Sequence, residues 1–445
     1  MTAAASLPSR FRDGWRRDRF SVALVLIALA GLVWRIVYLV WMRNDAVAGV
    51  GTAYHFGALD LVDGIGFYTR PDFFNPTGGA PVAAYPPAWT IVLGGPSALG
   101  LRSWFSHQLI ASVIGMATIV MTGLAARAAF GRRVGIVAAV LAACYPFAWL
   151  YERELLAEPL AMLGTATTIW IAYRFKAAPS VWLAVALGAA VGVMALTRSE
   201  LLGVSVFLVA PVVFSARAVK LRRRFRWLGA SGVACVLVIA PWAVYNQSRF
   251  TRPVPLSTAL GSTLVVGNCP STYEGELLGY YNLACALFLR GIDPDASIAD
   301  GQYRGNAVDF MKENRRRAAV VAVARVGRTF GVLWPNQQMQ FETERGTRTS
   351  VLRLGFVAYW VLLGFAIWGF VIARRRKVAV YPLLAFPVVA LLSVLVTVGT
   401  VRYRAAAEIS LIILAAVAIE AAIAMVRRRG EPEPAPKPKP MFTRG

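Results

Sequence analysis

The stretch FSVALVLIALAGLVWRIVYLVWM, residues 20–42, decides the fold class of this chain. It carries a single charged residue, Arg35, and is long enough to cross the hydrocarbon core of a bilayer as an α-helix. It is also longer than the apolar core of a signal peptide, and no small-residue cleavage site follows it. We therefore predict a first transmembrane helix that remains part of the protein.

The whole composition agrees with this first stretch. Of the 445 residues, 57% are hydrophobic and 16% are charged, and the mean hydropathy is +0.56. These values are too apolar for a soluble globular protein. We predict an all-α polytopic membrane protein.

The net charge of +24 does not indicate nucleic-acid binding. The basic residues form short runs between apolar segments, which is typical of cytoplasmic loops and also attracts anionic lipid headgroups. These runs occupy residues 10–19, 132–133, 220–226, 374–377 and 427–429.

Placing the basic runs in the cytoplasm predicts about ten crossings with both termini inside, as expected for the plasma (inner) membrane. The predicted helices are 20–42, 104–130, 134–151, 157–175, 181–197, 201–217, 227–245, 352–373, 378–398 and 406–426. They form one transmembrane domain, 20–426, between a basic N-terminus, 1–19, and a Pro-rich charged tail, 427–445, that we expect to be disordered.

Two loops, 43–103 and 246–350, then lie outside the cell. If either of their apolar stretches, 87–101 and 318–335, crossed the membrane, a basic run would lie outside the cell. We therefore predict that both form helices at the outer interface. Cys269 and Cys285 share the second loop, where an oxidising compartment would join them in a disulfide. Two reduced cysteines would instead place this loop in the cytoplasm.

Ionisable residues collect at the predicted outer ends of the helices. They are Asp45, Glu152, Arg153, Glu154, Glu158, Arg198, Glu200, Arg402, Arg404 and Glu408. Charges at membrane depth are costly and indicate function, although local ion pairs at helix ends are the alternative. Arginines bind phosphate and carboxylates accept a hydroxyl proton, so both signs together favour glycosyl transfer from a lipid-phosphate sugar.

Motifs spread over most of the chain carry a resemblance to a known family. They are Tyr54-His55, Gly64-Ile65-Gly66-Phe67, Tyr85-Pro86-Pro87, Gly131-Arg132-Arg133, Ala157-Glu158-Pro159, Leu196-Thr197-Arg198-Ser199-Glu200, Pro253-Val254-Pro255, Gly267-Asn268-Cys269, Tyr273-Glu274-Gly275 and Arg402-Tyr403-Arg404 with Glu408. In order and spacing the chain resembles the GT-C glycosyltransferases of the protein-O-mannosyltransferase and aminoarabinose-transferase type (glycosyltransferase family 39-like), especially actinobacterial relatives.

The resemblance implies a helical bundle with a non-cytoplasmic active site. It also implies a polyprenyl-phosphate donor of a mannose- or arabinose-like sugar, inversion at the sugar, and a hydroxyl acceptor on a glycan, lipid or protein. By the same resemblance, Arg402, Arg404 and then Arg198 are the expected ligands of the donor phosphate. In an extended stretch only one of Arg402 and Arg404 would face the site.

The residues expected to bind substrate from these motifs are Tyr54, His55, Tyr85, Asn268, Tyr273 and Glu408.

The chain departs from the family pattern at Gly51-Thr52, where the family has Gly-Asp. A Thr hydroxyl cannot serve as a general base near neutral pH, but it can cap a helix beginning at Ala53. The expected base is therefore Asp45 or Glu158. Asp60 and Asp63 share one helix face and are expected to be solvated.

No cofactor is expected. His55 and His107 form no metal-ligand pattern, so no structural zinc is predicted, and there is no Walker loop or dinucleotide fingerprint. An acid-rich site is compatible with a divalent cation but does not require one. Two alternatives stay open: a non-catalytic envelope protein, because of Thr52, and a lipid-sugar transporter, which would favour polar residues at the membrane midplane.

Overall fold

The computed structural model describes residues 19–45, 49–70, 78–343 and 346–429. Within these ranges the regular structure is helical, apart from one isolated antiparallel bridge between Tyr68 and Pro81. The predicted all-α polytopic class is confirmed. Most of the predicted basic N-terminus, residues 1–18, and most of the predicted tail, residues 430–445, lie outside the described residues.

The helices of the first half of the chain are α1 (Arg19–Trp41), α2 (Val50–Val62), α3 (Ala88–Ala98), α4 (Trp104–Phe130), α5 (Arg132–Cys144), α6 (Pro146–Arg153), α7 (Glu158–Ala177), α8 (Val181–Ala195), α9 (Ala210–Phe214) and α10 (Leu221–Gln247). Those of the second half are α11 (Ala259–Gly267), α12 (Pro270–Tyr273), α13 (Ala284–Leu287), α14 (Ala296–Glu313), α15 (Arg315–Thr329), α16 (Pro335–Thr343), α17 (Thr349–Arg375), α18 (Tyr381–Val396) and α19 (Ala405–Arg429).

Five of the described helices, α1, α4, α10, α17 and α19, are long and apolar enough to cross a membrane. A sixth crossing results if α5 and α6 form one broken span, and α8, residues 199–214 and α18 are shorter apolar helices. The protein is therefore multi-pass, while the count of ten crossings and its orientation stay predictions.

The continuous helix predicted over 134–151 is wrong. The chain bends by 46° between α5 and α6, at Tyr145 and Pro146. Proline lacks the N–H that would continue the helix, and its ring clashes with the preceding turn. Helix α6, which carries Glu152 and Arg153, therefore runs in a different direction from α5.

The regular helix predicted over 201–217 is also wrong. A 3₁₀ turn (Ser199–Gly203) leads into a π-helical turn (Ser205–Val209) and then into the short α9. Pro211 cannot donate to the carbonyl one turn earlier, and a wider π turn accommodates its ring. This irregular segment follows directly after Arg198.

The core lies between closely packed helices, with α4 against α5 and α7, and α17 against α19. Helices α8 and α10 approach so closely at Gly188 that an added Cβ would lie 1.9 Å from the Ser231 carbonyl oxygen. Only glycine permits this contact, which holds α8 against α10. Helix α8 ends three residues before Arg198.

The 246–350 segment covers one end of this bundle. The predicted disulfide is confirmed, since Cys269 and Cys285 are joined with an S–S distance of 2.08 Å. Helix α3 packs on α2, and α15 packs on α18, so both predicted interfacial helices exist as separate elements. Their position relative to a membrane stays a prediction.

Candidate active site

Four charged side chains from three separate segments meet at one end of the bundle. Glu158 Oε1 accepts hydrogen bonds from Arg198 Nη1 at 2.6 Å and from Arg402 Nε at 2.9 Å. Arg198 Nε also donates to Glu200 Oε1 at 2.6 Å. We call Glu158, Arg198, Glu200 and Arg402 the Glu158 cluster; Glu158 itself is fully buried.

Local breaks in the chain aim these side chains at one another. Glu158 is the first residue of α7. Leu155, three residues earlier, has φ 53°. A non-glycine residue in this left-handed region costs roughly 1–2 kcal/mol, so the turn before Glu158 is held by its surroundings. Leu155 is completely buried, and its carbonyl accepts the Trp89 indole N–H at 2.9 Å.

The arginines come from two irregular turns. Arg198 precedes the 3₁₀ turn that follows α8, and Arg402 lies in a 3₁₀ turn (Val401–Arg404) directly before α19. The expected extended stretch at 402–404 is therefore wrong, since the chain turns there. Three hairpin ends thus share one polar centre, as the sequence pattern predicts.

Aromatic residues surround the Glu158 cluster. The rings of Tyr54 and Tyr85 are 5.2 Å apart, and the Arg198 guanidinium lies 4.9 Å from the centre of the Tyr403 ring. Burial, reinforced by the negative charge of Glu158, raises the pKa of Tyr54 above its ordinary value. The Tyr54 phenol therefore stays protonated and can donate a hydrogen bond beside the cluster.

Arg404 faces a different part of the bundle from Arg402. Its Nε donates to Glu408 Oε1 at 2.9 Å, and its Nη1 donates to the Thr329 carbonyl at 3.0 Å. The guanidinium also lies 3.5 Å from the centre of the Tyr359 ring. Both members of this ion pair are 1% exposed, so the pair is enclosed within the protein.

An apolar groove of about 340 Å³ begins at the Arg404–Glu408 pair and lies between α17, α18 and α19. Its lining residues are Phe330, Tyr359, Leu363, Ala366, Ile367, Phe370, Leu384, Pro387, Arg404, Ala407, Glu408, Ser410, Leu411 and Leu414. At the polar end, Arg404 Nη2, Glu408 Oε2 and Ser410 Oγ are buried without a hydrogen bond to any described residue. The Tyr145 side chain lies next to Glu408.

Asp45 lies apart from the Glu158 cluster. Its two carboxylate oxygens accept hydrogen bonds from Arg348 Nε at 2.6 Å and Nη2 at 3.0 Å. The hydrogen bonds from Arg348 lower the pKa of the Asp45 carboxyl. Arg153, which is buried, donates to the Asp45 backbone carbonyl at 2.8 Å and thereby connects this loop to α6.

The helix after α1 begins earlier than expected. Gly49 precedes its first residue, Val50, and the Thr52 hydroxyl donates back to the Gly49 carbonyl at 2.6 Å, so the predicted Thr52 cap is wrong. A Cβ added to Gly51 would lie 1.9 Å from the Glu154 carbonyl oxygen. This contact places the start of α2 beside the turn that leads to Glu158.

His55 contacts the only other histidine of the chain. Its Nδ1 lies 3.0 Å from His107 Nδ1, and His107 Nε2 lies 2.8 Å from Ser97 Oγ. Burial lowers the pKa of His55. In this structure His55 therefore joins α2 to α4, and its role in substrate binding stays a prediction.

Asn268 and Tyr273 form a separate buried network. The Asn268 amide donates to the Leu264 and Val396 carbonyls at 2.8 and 2.9 Å. Its oxygen accepts from the Tyr273 hydroxyl at 2.9 Å and from Arg325 Nη2 at 2.8 Å. These bonds occupy the polar atoms of Asn268, so the structure gives this residue a role in folding the 246–350 segment.

Asp60 and Asp63 are less isolated than expected. Asp60 pairs with Arg70, and Asp63 pairs with both Arg70 and Arg102, on the protein surface. Across the part of the chain that the structure describes, no three His, Cys, Asp or Glu side chains are grouped to hold a metal ion.

The sequence gives no signal for some residues around the two centres. Ser410 lies in an apolar stretch that does not distinguish it, and it joins a site only because α19 places it beside the Arg404–Glu408 pair. The groove residues on α17 and α18 are ordinary apolar residues whose shared lining depends on tertiary packing.

Comparison with known proteins shows what part of the chain and which fold it shares with them. Residues 82–245 match the sequence model of a family described as dolichyl-phosphate-mannose-protein mannosyltransferase. This region includes Tyr85, Glu158, Arg198 and Glu200 of the site and ends before Arg402. None of the curated protein sequences compared with the chain matches it.

The fold is similar to that of an archaeal oligosaccharyltransferase. The apo enzyme of Archaeoglobus fulgidus aligns with a TM-score of 0.55 and 12% identity, over 93% of this chain and 52% of that chain. Oligosaccharyltransferase AglB from the same organism, in complex with an inhibitory peptide and a dolichol-phosphate, aligns with a TM-score of 0.55 and 13% identity, over 96% and 53%. The chain thus spans about half the length of these enzymes.

ArnT from Cupriavidus metallidurans bound to undecaprenyl phosphate also aligns, with a TM-score of 0.41 and 16% identity, over 93% of this chain and 79% of that chain. A TM-score of 0.41 is too low for this similarity to support an argument about the present protein. The match to the archaeal enzymes is one of fold. Together with the family match at 82–245, it confirms the resemblance to GT-C glycosyltransferases.

Proposed function

We propose that the protein is an integral-membrane glycosyltransferase that moves a sugar from a polyprenyl-phosphate donor to a hydroxyl acceptor. The observation that carries this proposal is the Glu158 cluster, in which two arginines and two carboxylates from separate segments meet at one end of the bundle. The family match over 82–245 supports the same reaction class.

The donor phosphate binds to Arg402 and Arg198. Arg402 donates to Glu158 only through Nε, which leaves Nη1 and Nη2 without a hydrogen bond to any described residue. Two parallel N–H groups of a guanidinium match two phosphate oxygens. Glu158 therefore holds Arg402 in an orientation that presents its remaining donors to a phosphate.

The donor chain lies in the apolar groove. Arg404 and Leu414 mark its length along α19, and at 1.5 Å per residue ten residues correspond to about 15 Å. A chain there would be largely surrounded by aliphatic and aromatic side chains. Arg404, at the polar end of the groove, and Arg402 belong to the same 3₁₀ turn, so we place the chain and the phosphate of one donor on the two sides of this turn.

Glu158 is the proposed general base, ahead of Asp45. The acceptor oxygen bonds to the sugar C1 as the C1–O bond to phosphate breaks, and the hydroxyl proton passes to the Glu158 carboxylate. The phosphate leaves with the electron pair and is stabilised by Arg402 and Arg198. Because a bound phosphate shares their positive charge, donor binding makes Glu158 a stronger base at this step.

The finer parts of the proposal rest on the resemblance. The sugar is mannose- or arabinose-like, the reaction inverts C1, and the Glu158 cluster faces the outside of the plasma membrane with both termini in the cytoplasm. Basic runs on the opposite loops and the disulfide between Cys269 and Cys285 agree with this orientation.

A second candidate is a non-catalytic envelope protein. Thr52 stands where the related enzymes have an acid, and Glu158 is held by two arginines in this structure. This reading predicts no turnover with any donor and a stable partner that copurifies with the protein.

One experiment separates these functions. Purified protein in lipid vesicles is incubated with radiolabelled polyprenyl-phosphate sugars and a membrane extract that contains acceptors. We expect label to move from the donor to the extract. Lipid-sugar crossing of the vesicle without transfer would identify a transporter, and neither transfer nor crossing would favour the non-catalytic protein.

A further inference from the structure

Three large apolar side chains stand out from the 246–350 segment. Leu283, Leu287 and Phe288 are 60%, 77% and 81% exposed. Leu287 ends the one-turn helix α13, and Leu283 and Phe288 lie immediately before and after it. Leu283 and Leu287 are four residues apart and so share one side of the turn. We call residues 283–288 the apolar finger.

The finger is held in place by several bonds. Cys285 is joined to Cys269 by the disulfide. Asn282, just before the finger, donates its backbone N–H to the Val266 carbonyl and its side-chain amide to Ser271 Oγ, both at 2.9 Å. Leu287 and Phe288 are therefore exposed from a segment that a disulfide and hydrogen bonds hold in place.

The opposite side of the finger locates it relative to the membrane helices. Ala286 and Leu289 pack on a buried cluster that contains Val398, and Tyr403 packs on the same cluster. Val398 lies two residues after the end of the apolar helix α18, and Tyr403 lies in the turn that opens α19. We place the ends of these two apolar helices at the membrane surface, which puts the finger packed beside them near the same surface.

We propose that the apolar finger anchors the 246–350 segment in the lipid leaflet on the same side as the Glu158 cluster. Leu283, Leu287 and Phe288 enter the acyl region, and the exposed Arg290 reaches the phosphate headgroups, as long basic side chains do at membrane surfaces. Lipid is the occupant because the finger packs on the cluster that also joins the residues after α18 and the turn before α19.

The anchor has a consequence for the site. The finger packs on the same buried cluster as Tyr403, which follows Arg402 in the same turn. Anchoring it in lipid holds this part of the segment close to the membrane plane where a lipid-linked donor would arrive. The anchor itself does not depend on the proposed glycosyl transfer.

Photo-crosslinking of the full chain in phospholipid nanodiscs tests the proposal. p-Benzoylphenylalanine replaces Phe288, and mass spectrometry measures phospholipid adducts after irradiation. The same probe at Leu237, an exposed residue of α10, serves as the lipid-facing control, and Lys312, whose side chain is 61% exposed on α14, serves as the water-facing control. We expect adducts at 288 and 237 and none at 312.

An adduct at 237 with none at 288 would overturn the anchor, and so would a cross-link from 288 to a second protein chain. Cys285→Ser provides a second measurement, because release of the staple should lower the adduct yield at 288 several-fold and leave the yield at 237 unchanged. An unchanged yield at 288 would show that the disulfide does not hold the finger in lipid. None of these measurements requires turnover, so they stand apart from the proposed function.

Discussion

At the scale of single residues, the protein separates two arginines that are only two positions apart. Arg402 joins Glu158 in the partly accessible cluster, and Arg404 joins Glu408 in an enclosed pair at the end of the groove. A 3₁₀ turn causes this separation. The two residues should therefore respond differently to substitution.

Replacing Arg402 should mainly affect donor binding. Arg402→Lys keeps one charge but loses the planar pair of donors, so we expect the KM for the donor to rise about 10- to 100-fold, as loss of charge-assisted hydrogen bonds predicts. Steady-state kinetics with a labelled donor measure this change. The control is Arg304→Lys, at a surface ion pair with Asp300, and an equal rise in both variants would contradict the phosphate assignment.

Replacing Arg404 should mainly affect stability. Arg404→Met leaves Glu408 buried without its partner, and breaking such a pair costs about 3–5 kcal/mol of unfolding free energy. Thermal and denaturant unfolding in detergent measure the loss. The double variant with Glu408→Leu should recover most of it, and a double variant as unstable as Arg404→Met would show that the charge pair is not the cause.

Thr52 tests where the base lies. If Glu158 accepts the proton, Thr52→Asp restores an acid that the site no longer needs, and it also removes the hydrogen bond to the Gly49 carbonyl. We expect transfer to stay unchanged or to fall. A tenfold rise in transfer rate would instead place the missing base at the start of α2.

At the scale of elements, the sequence predicts regular membrane helices well and broken ones poorly. The helix expected over 104–130 is found at Trp104–Phe130, because a capping serine, an uninterrupted apolar run and Gly131 define both ends. The stretch around Pro146 has the same apolar content, but the 46° bend depends on a single proline. Apolar content predicts that a segment enters the membrane, whereas its course depends on local backbone chemistry.

The same limit applies to the site. Periodicity and parity bring Glu158, Arg198 and Arg402 to one end of the bundle, and the structure places them in contact. Asp45 also belongs to this end, but its partner Arg348 lies 303 residues away in the sequence. Asn268 and Tyr273 belong to sequence motifs. Only the fold shows that Tyr273 and Arg325 both donate hydrogen bonds to the Asn268 side-chain oxygen.

The disulfide should stabilise the 246–350 segment. It closes an interval of 16 residues, for which loss of unfolded-state entropy corresponds to about 3 kcal/mol. We expect Cys269→Ser with Cys285→Ser to lower the unfolding free energy by about this amount, measured by denaturation in detergent. Cys144→Ser, which removes a free thiol, is the control and should have little effect.

At the scale of the whole molecule, we propose that the groove holds the chain of the donor whose phosphate binds at the Glu158 cluster. Ala366→Trp should fill part of the groove and raise the KM for a long-chain donor, while a donor analogue with a very short chain should be affected less. Val361→Trp, at an exposed position of the same helix outside the groove lining, is the matched control. An equal rise in KM for long-chain and short-chain donors would contradict the proposal that the groove binds the donor chain.

The most direct measurement compares sugar transfer by the wild-type protein and by Glu158→Gln in the same nanodiscs, with Asp309→Asn at an exposed ion pair as control. Loss of a positioned general base lowers rates by about 10²- to 10⁴-fold. The account predicts transfer by the wild type and the control, and a loss of this size for Glu158→Gln. Full transfer by Glu158→Gln would contradict it.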